Sequence, residues 1–165
     1  MEHHMVELID EDDNVIGTIE KEEAHKKGLL HRVAAVFLTS AASILVQYRE
    51  DERMDHSAAG HVEIGETYKE AAIRELEEEL GVSGVELKEV GSCKSKNEVG
   101  VRPHYYKVFE VEAEPVKLKH DEVQKVVWRK PLEVWKEMQE NPSRKYYTGG
   151  FRHTLKLYLE TKHLI

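Results

Sequence analysis

Cysteine is nearly absent from this sequence, since Cys93 is the single one among 165 residues. One cysteine cannot form an intramolecular disulfide, and this usage is typical of the reducing cytoplasm, where we expect the protein to act. Long apolar runs are missing as well: no stretch approaches the roughly 18 to 20 residues that a membrane-spanning helix needs. The N-terminus lacks the apolar segment of a signal peptide. We therefore expect no membrane partner.

Positive charge is also scarce. Lysine and arginine number 24 against 32 aspartates and glutamates, which gives a formal net charge of -8. This balance argues against a nucleic-acid partner, because such binding needs a broad basic surface. The length suits one domain, and the chain shows neither an internal repeat nor a low-complexity linker. We expect a single domain over residues 1–165.

Strand and helix patterns alternate along the chain. The strand-like segments are 6–10, 14–20, 32–39, 44–49, 85–96, 104–113 and 123–129. The helical segments are 21–28, a helix that starts after Thr67, a helix between Pro131 and Pro142, and 151–160. Strands interleaved with helices in this way predict an α/β or α+β sandwich, in which helices cover both faces of the sheet.

The segment RELEEELG, residues 74–81, crowds four glutamates onto the end of one predicted helix. Thr67 and Glu70 fit a capping box and Gly81 is a natural terminator, so these residues bound the helix. At about 100° per residue, the helix turns a core face toward the protein, formed by Ala72, Ile73, Leu76 and Leu80. A neighbouring face carries three carboxylates, those of Glu75, Glu78 and Glu79, while Glu77 points away.

This clustering of acid is unfavourable unless something compensates it. Like charges at these spacings repel by a few tenths of a kcal/mol per pair, and acids in the last turn also face the negative end of the helix dipole. A solvated acidic face is the ordinary explanation. Here, however, the cluster follows a loop with Gly60, Gly65 and Glu66, where backbone can approach a ligand closely. Clustered oxygen ligands suit Mg²⁺, with phosphate oxygens completing its shell, so we predict a divalent-metal site.

The same residues carry a resemblance to a known family. Gly60, Glu66, the run 74–76, the pair 78–79 and the pair 81–82 match the Nudix box at every fixed position. The order of strands before and after the box is similar to that of the Nudix fold. The resemblance implies an α/β/α sandwich with a mixed β-sheet.

Nudix enzymes hydrolyse a nucleoside diphosphate linked to another moiety, by water attack at phosphorus in a magnesium-dependent reaction. The resemblance therefore implies a small-molecule diphosphate substrate and Mg²⁺, or Mn²⁺, as cofactor. By position, Glu75, Glu78 and Glu79 would bind the metal, with the Gly60 carbonyl and Glu66 close by. Arg74 would orient the glutamates. The general base would be one of the glutamates, such as Glu78, or Glu122 outside the box.

A narrower resemblance, to isopentenyl-diphosphate isomerases of the same superfamily, rests on EEAHKKGLLHRVAAVFL and SAAGHVEIGE. That branch binds a metal through histidines, which here would be His25, His31 and His61. Its catalytic cysteine falls at Ala59, and its catalytic acids fall in VRPHYYKVF, which has Arg102 and His104 instead. We therefore expect a hydrolase of isomerase-like descent. An isomerase and a nucleotide-binding module without catalysis are the alternatives.

Several other residues have both a functional and an ordinary explanation. Arg49 and Arg102 suit contact with a phosphate or sugar of the substrate, or surface ion pairs. The three histidines are second-metal ligands or simply surface and core histidines. Tyr105, Tyr106 and Phe109 fit a strand that packs in the core better than a base-stacking surface. The resemblance leaves a monomer and a homodimer open.

Overall fold

A computed structural model describes residues 4–95, 103–119, 123, 125–143 and 145–165. It contains nine strands and four helices within these residues. The strands are β1 (Met5–Ile9), β2 (Val15–Glu20), β3 (His31–Ser40), β4 (Ser43–Tyr48), β5 (Met54–Asp55), β6 (Ala58–His61), β7 (Lys88–Lys94), β8 (His104–Glu112) and β9 (Lys125–Arg129). The helices are α1 (Lys21–Lys27), α2 (Tyr68–Leu80), α3 (Pro131–Glu140) and α4 (Gly149–Thr161).

Strand β3 is the centre of a mixed sheet. It runs parallel to β8 along its whole length, antiparallel to β6 near its start, and antiparallel to β4 at its end. The hairpin of β1 and β2 joins β3 through β1, and β7 pairs with β8. Helices α2, α3 and α4 cover the two faces of this strand, which explains the almost continuous apolar run of β3.

Helices cover both faces of this sheet, each over its own apolar core. One core lies under α3 and α4 and takes the odd-numbered side chains of β3, including Val33 and Phe37. The other lies under α2 and takes the even-numbered ones, including Ala34 and Leu38. This alternation follows from the two-residue period of a strand. The expected α+β sandwich with a mixed sheet is confirmed.

Helix α2 begins and ends where the sequence predicts. The Thr67 side chain accepts a hydrogen bond from the backbone N–H of Glu70, whose carboxylate accepts from the N–H of Thr67. Gly81 ends the helix in the left-handed conformation with φ of 67°. The predicted core face is wrong at one position: Ile73 is 39% exposed, while Ala71 is fully buried. The buried face of α2 is therefore centred closer to Ala71 than predicted. Ile73 lies next to Arg74, whose side of the helix carries the ion pairs of the Nudix box.

Two short strands escape sequence prediction. They are β5 and β6, in a segment of small and polar residues without the alternation that marks a strand. Strand β6 places Ala59 opposite Ala35, Gly60 opposite Ala34 and His61 opposite Val33. Successive residues of β6 therefore face opposite sides of the sheet, with His61 on the α4 side and Gly60 on the α2 side.

Candidate active site

Four histidines meet at one edge of the sheet. His31 and His104 begin the parallel strands β3 and β8 and lie opposite each other. His61 ends β6 opposite Val33, which is two residues beyond His31 and therefore on the same face. His25 reaches the same point from α1. The candidate ligand atoms of these four side chains all lie within 4.8 Å of one another, and we call the group the histidine cluster.

The Nε2 atom of His25 is the centre of this cluster. It lies 2.9 Å from Nε2 of His31, 3.1 Å from Nε2 of His61 and 3.3 Å from Nε2 of His104. An imidazole nitrogen carries either one proton or one lone pair, so it can satisfy one such contact as a hydrogen bond. A cation shared by the four nitrogens would satisfy all of the contacts together.

The outer ring nitrogens of two of these histidines contact other groups. Nδ1 of His31 lies 2.9 Å from the Leu29 carbonyl oxygen, which fixes the ring so that Nε2 faces the cluster. Nδ1 of His104 lies 3.3 Å from the Tyr106 hydroxyl. Hydrogen bonds of this kind from the outer nitrogen are typical of histidines that bind metals.

The box glutamates lie on the other side of β6, around Arg74. The Arg74 guanidinium donates to the Glu66 carboxylate, with Nε 2.9 Å from Oε2, and to Glu75, with Nη1 2.7 Å from Oε1. Glu78, half-exposed, lies 3.6 Å from the same Nη1. The carbonyl oxygen of His61 accepts from Nη2 at 3.0 Å, so Arg74 also ties α2 to β6.

Gly60 leaves the space in which the Glu75 carboxylate lies. A Cβ atom at residue 60 would come within 2.2 Å of Cδ of Glu75, closer than real contacts allow. The last box glutamate, Glu79, is buried, and its Oε2 accepts from Nε2 of Gln47 at 3.1 Å. Three box glutamates thus surround one cation, the Arg74 side chain, while the fourth is held by an amide. In the described ranges no metal-like convergence of His, Cys, Asp and Glu side chains exists besides the histidine cluster.

The ion pairs at Arg74 fix the charges of the box. Hydrogen bonds from Arg74 lower the pKa of Glu66 below its usual range, although partial burial acts the other way. Hydrogen bonds to Glu66 and Glu75 raise the pKa of Arg74. Glu66 is therefore ionised at neutral pH, the state in which a carboxylate binds a metal.

A cleft of about 440 Å³ opens beside the histidine cluster. His61 and His104 line it together with Gly149 and Gly150 of α4, and Arg49, which is half-exposed, lines it as well. Ala59, Gly60 and Tyr106 also contribute to the lining. Because Gly60 contacts Glu75 through its α-carbon, the cleft and the box share one residue of β6.

Comparison with known proteins identifies the family of the chain. A model of the NUDIX domain matches residues 29–149. An uncharacterised Nudix hydrolase of Yersinia pestis is 32% identical over 136 residues, which cover 78% of this chain and 74% of that protein. The chain belongs to the Nudix hydrolase family. No helix within the described residues is long and apolar enough to cross a membrane.

Two further similarities accompany this family membership. An isopentenyl-diphosphate Δ-isomerase of Serratia proteamaculans is 39% identical over 95 residues, about half of each chain. A crystal structure of a Deinococcus radiodurans protein has a TM-score of 0.75 at 22% identity, covering 93% of this chain and 97% of that one. The structural match shows that the two chains share one fold, and the isomerase match agrees with the resemblance seen in the sequence.

The Nudix structure brings together most of the predicted site residues. Glu66, Arg74, Glu75 and Glu78 form one group, and His25, His31 and His61 form another. Glu79 accepts a hydrogen bond from Gln47. Arg49 borders the cleft but donates to Asp55, with 3.1 Å between Nη1 and Oδ2. Arg102 and Glu122 lie outside the described residues, so their roles remain predictions.

The sequence did not identify the part that His104 and the pair Asp55–His56 play in the site. In the sequence His104 is only a departure from the isomerase pattern, because the pairing of β3 with β8 that brings it opposite His31 is not a local signal. Asp55 accepts from the Thr148 hydroxyl at 2.9 Å and contacts Nδ1 of the buried His56 at 2.8 Å. Burial would raise the pKa of Asp55, but the hydrogen bonds from His56 lower it to about 2.

Cys93 and the aromatic residues take the structural roles expected for them. Cys93 lies on β7, where burial raises the pKa of its thiol to about 12, so it is a poor nucleophile. Tyr106 and Phe109 pack in the two cores, one on each face of β8.

Proposed function

We propose that this Nudix hydrolase cleaves a nucleoside diphosphate linked to another moiety, with Mg²⁺ as cofactor and Mn²⁺ as a substitute. One observation carries the proposal: Glu66, Glu75 and Glu78 surround a single guanidinium beside Gly60. Oxygen donors grouped in this way are the ligands that Mg²⁺ prefers. The residues present therefore fit the cofactor that the box implies.

The side chains would divide the work. Glu75, Glu78 and Glu79, with Glu66 and the Gly60 carbonyl, would hold Mg²⁺, which when bound neutralises charge on the diphosphate and lowers the pKa of water. Arg74 orients Glu66 and Glu75 through its hydrogen bonds. Among Glu66, Glu75 and Glu78, Glu78 is the most exposed and would accept the proton of the attacking water, with Glu122 as the other candidate base.

The cleft would hold the rest of the substrate. Arg49 borders it with a half-exposed guanidinium, and we assign to it a contact with a phosphate of the substrate. Arg102 is proposed for the same task. The charge balance favours a small-molecule substrate over nucleic acid.

We also propose that His25, His31 and His61 hold a second metal ion. The fit rests on their Nε2 atoms: that of His25 lies 2.9 Å from that of His31 and 3.1 Å from that of His61. Two nitrogens bound to one metal ion by bonds of about 2.0 to 2.1 Å, at right angles, lie about 2.9 Å apart, which is close to these separations.

An isopentenyl-diphosphate isomerase is the second candidate function, favoured by the Serratia relative and by the histidine cluster. Isomerisation needs a group that protonates the alkene. Ala59 lines the cleft at the position that resembles the isomerase cysteine, and Cys93 lies on β7 with a raised pKa. Hydrolysis therefore fits the residues better.

A substrate panel tests these alternatives. Purified protein would be incubated with dinucleotides, nucleotide sugars, nucleoside triphosphates and isoprenoid diphosphates, with and without Mg²⁺. We expect magnesium-dependent release of a phosphate or nucleotide product from one of the nucleotide classes. Interconversion of five-carbon diphosphates would support the isomerase instead, and tight binding without turnover would support a nucleotide-binding module.

We further propose a cytoplasmic location and a single domain over 1–165. The first rests on the lone cysteine. A homodimer stays open, and sedimentation of the purified chain distinguishes it from a monomer.

A further inference from the structure

The histidine cluster contains one residue that the second-metal proposal does not yet use. His104 begins β8, is 8% exposed and lines the cleft together with His61. Its Nε2 atom lies 3.3 Å from Nε2 of His25. The inference below rests on the histidine metal site proposed above and leaves the magnesium site at the glutamates untouched.

We propose that His104 is a fourth ligand, that the site is an all-nitrogen site for a borderline transition-metal ion such as Zn²⁺, and that Tyr106 positions His104.

The distances from His25 allow His104 to share a metal ion with the other three histidines. A tetrahedral shell with bonds of about 2.0 to 2.1 Å has edges of about 3.3 to 3.4 Å, and right-angled ligands have edges of about 2.9 Å. The separations from His25 to His31, His61 and His104, 2.9, 3.1 and 3.3 Å, all fall in this range. Nε2 of His104 thus lies no farther from Nε2 of His25 than two ligands of one tetrahedral metal ion lie from each other.

The rest of the ring geometry supports the same role for His104. The rings of His31 and His104 are 4.5 Å apart and almost perpendicular, and the rings of His61 and His104 are 5.3 Å apart at 75°. The rings of His31 and His61 are nearly parallel, with centroids 5.1 Å apart, so the edge of the His104 ring faces both of them. The four residues come from α1, β3, β6 and β8, so no single element determines the arrangement.

The chemistry of the donors determines the class of metal. Four imidazoles offer nitrogen ligands and no negative charge, which suits Zn²⁺, Ni²⁺, Co²⁺ or Fe²⁺ and disfavours Mg²⁺. A divalent ion held by neutral ligands keeps its full charge. Because His61 and His104 line the cleft, that charge would draw an anionic oxygen of the substrate to these residues.

Tyr106 lies where it can hold His104 in place. Its hydroxyl is 3.3 Å from Nδ1 of His104, on the side of the ring away from the cluster. The hydroxyl also abuts the first turn of α4, since a Cβ at Gly150 would come within 1.9 Å of it. Tyr106 is 6% exposed, and its packing against Gly150 restricts the ring. Outer contacts of metal-binding histidines typically change metal affinity by about 10- to 100-fold.

Metal titration of the full chain tests the proposal with Zn²⁺ and Co²⁺ as probes. We expect one Zn²⁺ per chain at this site and a visible Co²⁺ absorption band of a nitrogen-liganded ion. His104→Ala should weaken Zn²⁺ binding by about 100-fold or more and alter the Co²⁺ band, since one nitrogen ligand is lost. Tyr106→Phe should weaken Zn²⁺ binding by about 10-fold and leave the band in place.

Matched controls separate ligand loss from general damage. His163→Asn removes an exposed histidine with φ of 58°, a conformation that asparagine tolerates, and Tyr158→Phe removes a hydroxyl from the same core. Both should bind Zn²⁺ like the wild type. His104→Gln replaces His104→Ala if the alanine variant does not fold, since it keeps a polar side chain of similar size.

The outcomes are distinct. Wild-type affinity and an unchanged Co²⁺ band in the folded His104 variant would overturn the fourth ligand, and wild-type affinity in Tyr106→Phe would overturn its positioning role. Absence of Zn²⁺ and Co²⁺ binding in the wild type would overturn both the second metal and this inference. Magnesium-dependent turnover, measured on the same samples, shows independently whether the proposed hydrolase activity stands.

Discussion

Arg74 is the residue on which the geometry of the box depends. Its guanidinium donates to the carboxylates of Glu66 and Glu75. It also donates to the carbonyl oxygen of His61, whose side chain belongs to the histidine cluster. A planar guanidinium with several fixed donors can bridge three acceptors in this way, whereas the ammonium of a lysine cannot match the geometry. Arg74 therefore connects the two candidate metal sites through the backbone of β6.

Asp55 gives a residue-scale prediction about acid stability. Its pKa of about 2 lies below the ordinary 3.8, so its ionised form stabilises the fold above about pH 4, and this stabilisation is lost as pH falls toward 2. We expect Asp55→Asn to lower the free energy of unfolding by about 2 kcal/mol at pH 7. At pH 3 the free energies of unfolding of variant and wild type should differ by about half as much. Urea unfolding at several pH values measures both.

A difference between Asp55→Asn and wild type that is the same at pH 7 and pH 3 would contradict this account. Asp51→Asn is the matched control, because Asp51 is half-exposed in a surface ion pair with Arg53. Pairs of this kind contribute little to stability.

At the scale of elements, helix α2 gives the next prediction. Thr67→Ala removes the acceptor for the Glu70 N–H, one of the unpaired donors at the start of the helix. We expect a loss of about 1 kcal/mol in the free energy of unfolding, and Thr67→Ser, which keeps the hydroxyl, should be close to wild type. A Thr67→Ala protein as stable as wild type would show that the cap does not stabilise α2.

In the first turn of α4, replacing a glycine by alanine should lower the stability of the protein rather than raise it. Glycine to alanine in a helix ordinarily stabilises by up to about 1 kcal/mol. Gly150→Ala should instead destabilise by about 1 to 3 kcal/mol, because its Cβ meets the Tyr106 hydroxyl at 1.9 Å. In a Tyr106→Phe background the cost should be smaller, since the closest atom is gone.

Urea unfolding of the four proteins in this cycle measures the coupling between the two positions. Gly17→Ala is the control, because nothing lies within 4 Å of a Cβ at that glycine. Equal costs of Gly150→Ala in both backgrounds would contradict the contact.

The same two helices and their neighbours show what a sequence can and cannot predict. The bounds of α2 follow from local signals, because the capping box and Gly81 act within a few residues of the chain. Strand β6 has no such signal: its residues are small, and it becomes a strand by pairing with β3. The rotation of α2 that exposes Ile73 and buries Ala71 likewise depends on packing beyond the helix.

The candidate site divides in the same way. The box is a local pattern, so Glu66, Arg74 and Glu75 could be grouped from the sequence alone. The histidine cluster depends on the parallel pairing of β3 with β8, which brings His31 opposite His104 over 73 positions of sequence. Pairing over such a distance is decided by the whole fold, so His104 could not be joined to the cluster by spacing.

At the scale of the whole molecule, one strand separates two sites of different chemistry. The carboxylates of the box lie on the α2 side of β6 at Gly60, and the imidazoles of the histidine cluster lie on the α4 side at His61. The cleft beside β6 is lined by His61 and His104 of the cluster and by Gly60 of the box. We propose that the box glutamates carry out the hydrolysis.

Comparing the turnover of Glu78→Gln with that of Glu77→Gln tests the catalytic role of the box glutamates. Both substitutions remove one charge from the exposed end of α2, but Glu78 lies 3.6 Å from Arg74 within the box. With the best substrate of the panel and saturating Mg²⁺, we predict a fall in kcat of about 100-fold or more for Glu78→Gln and a kcat close to wild type for Glu77→Gln. Equal turnover of Glu78→Gln and wild type would contradict the proposed role of the box.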